Sequence, residues 1–205
     1  MTRIYLVRHG RTERSEENLF RGQADIPLSE TGKKQALALA DALSGEQIKF
    51  VCSSPLSRGL DTASVIAGKF NLTVQTLEGL NDTNFGEWEG KSLKEVEEKY
   101  PELFKVWQSA PADLIFPGGE TLTRAKNRAV AAIREIVDAH SDQTGVVVSH
   151  RATCKLIILD CLGLNEAGFW SIRQDLACIN LLEWDGQHWT VRFMNLTSHL
   201  KDAGG

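Results

Sequence analysis

Three short polar clusters in this sequence place arginine and histidine directly after apolar runs. They are Arg8-His9-Gly10, Ser53-Ser54-Pro55 with Arg58 a few residues later, and Ser149-His150-Arg151. The planar guanidinium of arginine matches the oxygens of a phosphate group, and a neutral imidazole is a nucleophile near neutral pH. Together, these side chains could both hold a phosphate group and attack its phosphorus atom.

A strand is predicted before each cluster. The three predicted strands cover residues 4–7, a continuous apolar run, 48–52, and 145–149, a Val-rich run, and a helical pattern follows each of the last two. Strands that alternate with helices indicate an α/β fold, with a mostly parallel sheet covered by helices on both faces. Ligands of such sheets bind beyond the carboxyl ends of the strands. We therefore expect the three clusters to meet at one edge of the sheet.

The rest of the chain continues this pattern without a linker or an internal repeat, which predicts a single domain over residues 1–205. A helix is expected between Ser29 and Gly45, and another over residues 93–100, ending at Pro101. The other predicted elements are helices at 56–70, 121–140 and 153–162, a short strand at 72–77, and a closing hairpin of residues 179–184 and 189–194.

Composition narrows the function classes. The 205 residues are 42% hydrophobic and 24% charged, as in a folded globular protein. The net charge of -4 gives nucleic acid or an anionic membrane no global electrostatic reason to bind. We expect a cytoplasmic protein, because the first residues do not resemble a signal peptide and no segment approaches the roughly 18 apolar residues of a membrane span.

Four cysteines stand in apolar stretches without a C-x-x-C pair. They are Cys52, Cys154, Cys161 and Cys178. This setting predicts buried thiols, with a structural zinc site as the less favoured alternative.

Five motifs, in order along the chain, resemble the histidine phosphatase superfamily, also called the phosphoglycerate mutase-like family. They are Leu6-Val7-Arg8-His9-Gly10-Arg11-Thr12, Pro27-Leu28-Ser29-Glu30-Thr31-Gly32, Ser53-Ser54-Pro55-Leu56-Ser57-Arg58, Phe85-Gly86-Glu87-Trp88-Glu89-Gly90 and Val148-Ser149-His150. Arg-His-Gly alone is weak evidence, whereas five blocks in the right order are specific. The resemblance covers residues 3 to 200 approximately, and it implies a three-layer α/β sandwich.

The resemblance also implies a mechanism. His9 attacks phosphorus in line and becomes a phosphohistidine, which water later hydrolyses, while Arg8, Arg58 and His150 hold the phosphoryl oxygens. Neither a metal ion nor another cofactor is expected. This agrees with the residues themselves, because phosphoryl transfer depends mainly on positioning and charge stabilisation.

The resemblance places a carboxylic acid shortly before the Phe-Gly block, where it protonates the leaving oxygen. Asp82 occupies that position here, although the family usually has Glu. Glu87 and Glu89 stay open as alternatives. Whichever residue acts as the acid needs a raised pKa to hold its proton near neutrality.

Further residues are expected to bind substrate. Thr12 belongs to the first motif, and Ser15 stands where the family often has a phosphate-binding Asn. Arg21, Gly22 and Gln23 match a loop that lies near the phosphate in the family. Arg151 replaces the Gly that commonly follows the second histidine, so it either recruits a substrate carboxylate or pairs with an acid.

The chain most resembles the compact members of the family, namely the alpha-ribazole phosphatases and the metal-independent phosphoserine phosphatases. Phosphoglycerate mutases of this type have a long insertion that is absent here after Gly90, so a phosphomonoesterase acting on a small metabolite is predicted. The alternatives are mutase-type phosphoryl transfer and a catalytically silent phosphate-binding relative. The expected partner is a small-molecule substrate, and a homodimer is compatible with the sequence.

Overall fold

Six strands form one mixed sheet in the computed structural model, which describes residues 1–13 and 19–201 of the chain. The strands are β1 (Thr2–Arg8), β2 (Ile48–Ser53), β3 (Val74–Thr76), β4 (Thr144–Ser149), β5 (Ile179–Trp184) and β6 (Trp189–Leu196), in the spatial order β3-β2-β4-β1-β5-β6. The first four strands in that order run parallel, and β5 and β6 are antiparallel to their neighbours.

Helices cover both faces of this sheet. They are α1 (Glu30–Ala42), α2 (Ser57–Lys69), α3 (Leu93–Lys99), α4 (Pro101–Ser109), α5 (Leu122–Ala139) and α6 (Arg151–Cys161). Successive side chains of a strand point to opposite faces. Tyr5 and Val7 accordingly belong to the apolar cluster that contains α1 and α2, and Ile4 and Leu6 to the one that contains α5 and α6. The α/β sandwich expected from the sequence is confirmed.

The strand order brings the three polar clusters together. In the spatial order β2-β4-β1, Arg8 lies opposite Ser149, and Ser53 lies opposite Val148. All three strands point the same way, so the residues that follow them emerge at one edge of the sheet. This agrees with the expectation from the sequence.

The sequence pattern did not predict one of the helices, α4. Pro101 ends α3, as expected, but it also begins α4 at the first helical position. Proline is favoured there, because its missing N–H would have no partner within the helix. The helix α4 contributes Phe104 and Trp107 to the core.

All four cysteines are free, and Cys52, Cys154 and Cys178 are buried as predicted. Cys161 is half-buried, so the prediction of a buried thiol was wrong for it. It is the last residue of α6, where the helix reaches the surface. Of the described helices, none has the length and apolar character to cross a membrane.

Candidate active site

A cavity of about 490 Å³ opens at the edge of the sheet where the polar clusters meet. Four of the five predicted catalytic residues line it, namely Arg8, His9, Arg58 and Asp82. Arg21 and Arg151, both predicted to bind substrate, also line the cavity. Residues from five separate parts of the chain therefore face one space.

His9 is held in one tautomer by its own backbone neighbour. Its Nδ1 lies 2.7 Å from the carbonyl oxygen of Gly10. A carbonyl can only accept a hydrogen bond, so Nδ1 carries the proton and donates it. The lone pair of the neutral ring is therefore on Nε2.

The surroundings of His9 keep the ring neutral. Burial, together with the positive charges of Arg58 and Arg8, lowers its pKa well below the ordinary value for histidine. A neutral imidazole is the nucleophilic form, so His9 meets the electronic requirement for attack on phosphorus at neutral pH.

Arg58 is the structural centre of the site. Its side chain is fully buried, and it donates from Nη1 to the carbonyl of Ala24 and from Nη2 to that of Gly22, each over 2.7 Å. Its Nε donates to Nδ1 of His150 over 3.2 Å. Guanidinium has five N–H groups, so these contacts leave two for an anion in the cavity.

His150 lies behind Arg58 and is fully buried. Arginine can only donate, so Nδ1 of His150 is the acceptor in their hydrogen bond, and Nε2 donates to Ser54 Oγ over 2.7 Å. Burial and the charge of Arg58 lower the pKa of His150 well below its ordinary value. Its ring centroid is 5.1 Å from that of His9, which places the two imidazoles side by side.

Arg8 is positioned by a buried network of amide groups. Its Nη1 donates to the carbonyl of Gln174 over 2.7 Å. The side chain of Gln174 exchanges two hydrogen bonds with that of Asn180, at 2.7 and 2.9 Å. Burial, reinforced by the charge of Arg151, lowers the pKa of Arg8 to about 10, so Arg8 keeps its positive charge at neutral pH.

Asp82 is buried, and its Oδ2 lies 3.8 Å from Nη2 of Arg58. Burial raises its pKa, although Arg58 and the backbone N–H of Thr83 act in the opposite direction. Its backbone carbonyl accepts from Nη2 of Arg128, on α5, over 2.8 Å. The raised pKa has the direction that a proton donor near neutrality needs.

The two alternative acids occupy other places. Glu89 accepts the backbone N–H groups of Gln23 and Phe85, at 2.9 and 3.1 Å, which ties two loops together. Glu87 is largely exposed and accepts from the hydroxyl of Tyr100 over 2.6 Å. The residues that line the cavity include Asp82 and neither of these glutamates.

The remaining predicted binding residues have different positions. Thr12 is buried just beyond His9, and Ser15 lies outside the described residues. Gly22 and Gln23 are not among the residues that line the cavity, and the carbonyl of Gly22 accepts a hydrogen bond from Arg58. Gly22 has a φ of +51°, and a Cβ there would overlap the carboxylate of Glu89, so this position requires glycine.

Three residues that contribute to the site were not assigned from the sequence. Ser54 is part of the third motif, but the sequence did not indicate a role for it. Its hydroxyl fixes the orientation of the His150 ring. Gln174 and Arg128 are far from any motif, and they act by holding Arg8 and the Asp82 loop. No local pattern marks either of them.

The buried neutral histidines predict a pH-dependent stability. A histidine whose folded pKa is lowered stabilises the fold above its unfolded pKa of about 6.5, and this stability is lost as the pH falls. Between pH 7.5 and 5.5, wild type is expected to lose about 1.4 kcal/mol more unfolding free energy than His150→Gln. Urea unfolding at both pH values measures this difference.

The matched control for that experiment is His188→Gln, at a histidine that is 78% exposed. This variant is expected to keep the wild-type pH dependence. An unchanged dependence in His150→Gln would contradict the neutral, buried state of His150.

Taken together, the fold and site define an α/β protein whose sheet edge presents a neutral imidazole nucleophile among arginines, an arrangement suited to phosphoryl chemistry. The model of the histidine phosphatase superfamily, branch 1, matches residues 4–197 of the chain. The chain belongs to this superfamily, which confirms the resemblance of the five motifs, and it is a phosphatase.

Individual relatives match over nearly the whole chain. Phosphoserine phosphatase 1 of Hydrogenobacter thermophilus is 36% identical over 200 residues, which cover 98% of this chain and 95% of that protein. The adenosylcobalamin/alpha-ribazole phosphatase of Escherichia coli is 28% identical, with 94% and 95% covered. The solved structure of Bacillus stearothermophilus YhfR superimposes with a TM-score of 0.94 at 28% identity, with 98% and 100% covered.

Proposed function

We propose that this phosphatase hydrolyses the phosphomonoester of a small metabolite in two steps through a phosphohistidine on His9. The observation that carries the proposal is the hydrogen bond from His9 Nδ1 to the Gly10 carbonyl. It leaves the Nε2 lone pair of a neutral imidazole available, and the ring lines a cavity that also presents Arg8 and Arg58.

In the first step, Nε2 of His9 forms a bond to phosphorus while the bond from phosphorus to the leaving oxygen breaks. Negative charge is spread over the three equatorial oxygens of the phosphoryl group. Arg8 and Arg58 stabilise this charge, and His150 acts through the hydrogen bond that it accepts from Nε of Arg58. Arg58 does so with its two remaining N–H groups, and its other three N–H contacts fix its orientation beforehand.

Asp82 moves the proton. Its protonated carboxyl gives a proton to the leaving oxygen, which departs as an alcohol. The resulting carboxylate then takes a proton from a water molecule, and the water oxygen attacks phosphorus as the bond to Nε2 breaks. Inorganic phosphate leaves, and His9 and Asp82 return to their starting protonation states.

We also propose that the reaction needs no metal ion. The four arginines that line the cavity supply the positive charge that a divalent cation supplies in other phosphoryl-transfer enzymes. The relatives named as phosphoserine and alpha-ribazole phosphatases support a small phosphorylated metabolite as the substrate. A cytoplasmic location suits four free cysteines, because thiols stay reduced there.

The test is phosphate release from a panel of small phosphomonoesters in excess EDTA, with a rapid acid-free quench to detect phosphohistidine by mass spectrometry. We expect turnover that EDTA does not change and a phosphorylated His9 peptide. Loss of activity in EDTA that added metal restores would overturn the metal-free mechanism. The absence of phosphate release from every ester would overturn hydrolysis itself.

The role of Asp82 predicts a dependence on the leaving group. Asp82→Asn is expected to slow hydrolysis of an alkyl phosphate by about 100-fold or more, because an alkoxide needs protonation as it leaves. With p-nitrophenyl phosphate, whose leaving group is stable without a proton, the loss is expected to stay below about tenfold. Steady-state kcat for both esters measures the contrast.

Glu89→Gln is the matched control, since its amide oxygen can still accept the two backbone N–H groups. It is expected to reduce both rates by similar factors. A leaving-group dependence that appears in Glu89→Gln and not in Asp82→Asn would transfer the acid role to Glu89.

A further inference from the structure

The cavity is much larger than a phosphate group requires. Its volume of about 490 Å³ falls within the range of pockets that enclose drug-sized ligands, roughly 300 to 1,000 Å³. Part of its lining is the set of polar side chains described above. The lining also includes Phe104, Trp107, Phe169 and Trp170, and the rings of the last three pack against one another as an aromatic wall.

The aromatic wall is fixed in place. The indole N–H of Trp170 donates to the carbonyl of Trp107 over 2.9 Å, and the two rings meet edge to face with centroids 4.8 Å apart. Buried Lys155 donates to the carbonyl of Phe169 over 2.9 Å, with its ammonium 4.8 Å from the Trp170 ring centroid. A preformed wall lowers the entropic cost of binding.

Part of this wall is nevertheless exposed. Trp170 is 43% exposed and Leu93, which also lines the cavity, is 41% exposed. An apolar ligand that covers these side chains removes their surface from water. An aromatic ligand gains further from edge-to-face or offset packing against the tryptophans.

The positive charge of the cavity limits the charge that a ligand's leaving group can carry. Among the described residues that line it, four arginines stand against one carboxylate, Asp82, at the phosphate end. Among these described residues, a substrate ammonium group would meet four cations and only the carboxylate of Asp82. An uncharged aromatic group avoids this repulsion.

We infer that the aromatic wall of the cavity is a subsite for an aromatic leaving group without positive charge, packed against Trp107 and Trp170. The inference rests on the proposed function, because the leaving group is defined by cleavage at His9. It narrows the substrate class to phosphomonoesters of aromatic or aryl-substituted alcohols.

Binding and turnover are measured separately to test this subsite. Calorimetry measures the affinities of two phosphonates, 2-(1-naphthyl)ethyl phosphonate and ethyl phosphonate. Neither phosphonate can be hydrolysed. Kinetics compares the corresponding phosphate esters and phosphoserine. Because the naphthylethyl and ethyl esters both release primary alcohols, leaving-group basicity does not separate them. We expect the naphthyl compounds to show at least about tenfold tighter binding and higher kcat/KM.

Variants of the aromatic wall test whether it causes the preference for naphthyl over ethyl compounds. Trp170→Ala is expected to reduce the naphthyl-to-ethyl ratio of kcat/KM about tenfold, and Trp170→Phe to keep most of it. The control Trp189→Ala, on the hairpin strand β6 and outside the cavity lining, is expected to leave the ratio unchanged.

Equal phosphonate affinities, or a ratio that Trp170→Ala does not change, would overturn the subsite. A naphthyl binding preference without turnover of any ester would instead overturn the proposed hydrolysis and leave the subsite supported.

Discussion

A His9→Ala variant is expected to lose at least about 10⁴-fold in kcat for phosphate release, because no other described side chain presents a free imidazole nitrogen to the cavity. His150, the neighbouring imidazole, has both ring nitrogens engaged, by Arg58 and by Ser54. It therefore cannot take over the attack without breaking these contacts. Steady-state assays with the preferred ester measure the loss.

The same variant tests the covalent intermediate. Wild type quenched during turnover is expected to carry a phosphorylated peptide containing His9, and His9→Ala is expected to carry none. His188→Ala, at an exposed histidine, serves as the control and should retain both the activity and the phosphopeptide. Retention of more than a tenth of the wild-type kcat in His9→Ala would refute the assignment of the nucleophile.

Arg58→Ala is expected to lower kcat/KM by about 100- to 1,000-fold, since one preorganised donor to a developing anion is worth about 3 to 4 kcal/mol. It is also expected to reduce the unfolding free energy by about 3 kcal/mol. The substitution leaves the Gly22 and Ala24 carbonyls and Nδ1 of His150 without their donors. Kinetics and urea unfolding on the same preparation measure the two effects.

A second substitution at this position separates the effect of charge from that of geometry, and a control substitution is made at an exposed arginine. Arg58→Lys keeps the positive charge but loses the planar fork, so it is expected to recover about tenfold of the lost rate and little of the stability. Arg192→Ala removes an arginine that is 60% exposed on β6 and should change neither quantity. If Arg58→Ala unfolds like wild type, the anchoring role of Arg58 is wrong, whatever its activity.

Much of the fold could be read from local pattern. The apolar runs of β1 and β4 are buried on both faces of the sheet, so they appear in the sequence as continuous hydrophobic segments, whereas the exposed Lys49 interrupts the run of β2. Ser29 and Thr121 act as the helix caps that their residue types favour. The second role of Pro101 was missed, because proline is compatible both with the end of one helix and with the start of the next.

The candidate site was predicted in part. Arg8 is the last residue of β1, His9 follows it, and Arg58 lies in the first turn of α2 after β2. Their meeting therefore follows from a parallel sheet alone. Gln174 and Arg128 come from a loop and a helix that carry no motif, and their roles depend on which carbonyl each guanidinium or amide group reaches. Such contacts join residues tens of positions apart in the chain, and residue spacing does not encode them.

By itself, the sequence determined the class of chemistry, because residue types set which groups can hold and attack phosphate, and strand ends set where they emerge. Only the tertiary structure decided the proton positions on His9 and His150, since these depend on the acceptor or donor within 3.2 Å of each nitrogen. It also distinguished buried Asp82 from Glu87 and Glu89, and it assembled the aromatic wall. Burial, hydrogen-bond partners and cavity shape arise from packing between segments that are distant in the sequence. Local residue patterns do not specify these contacts.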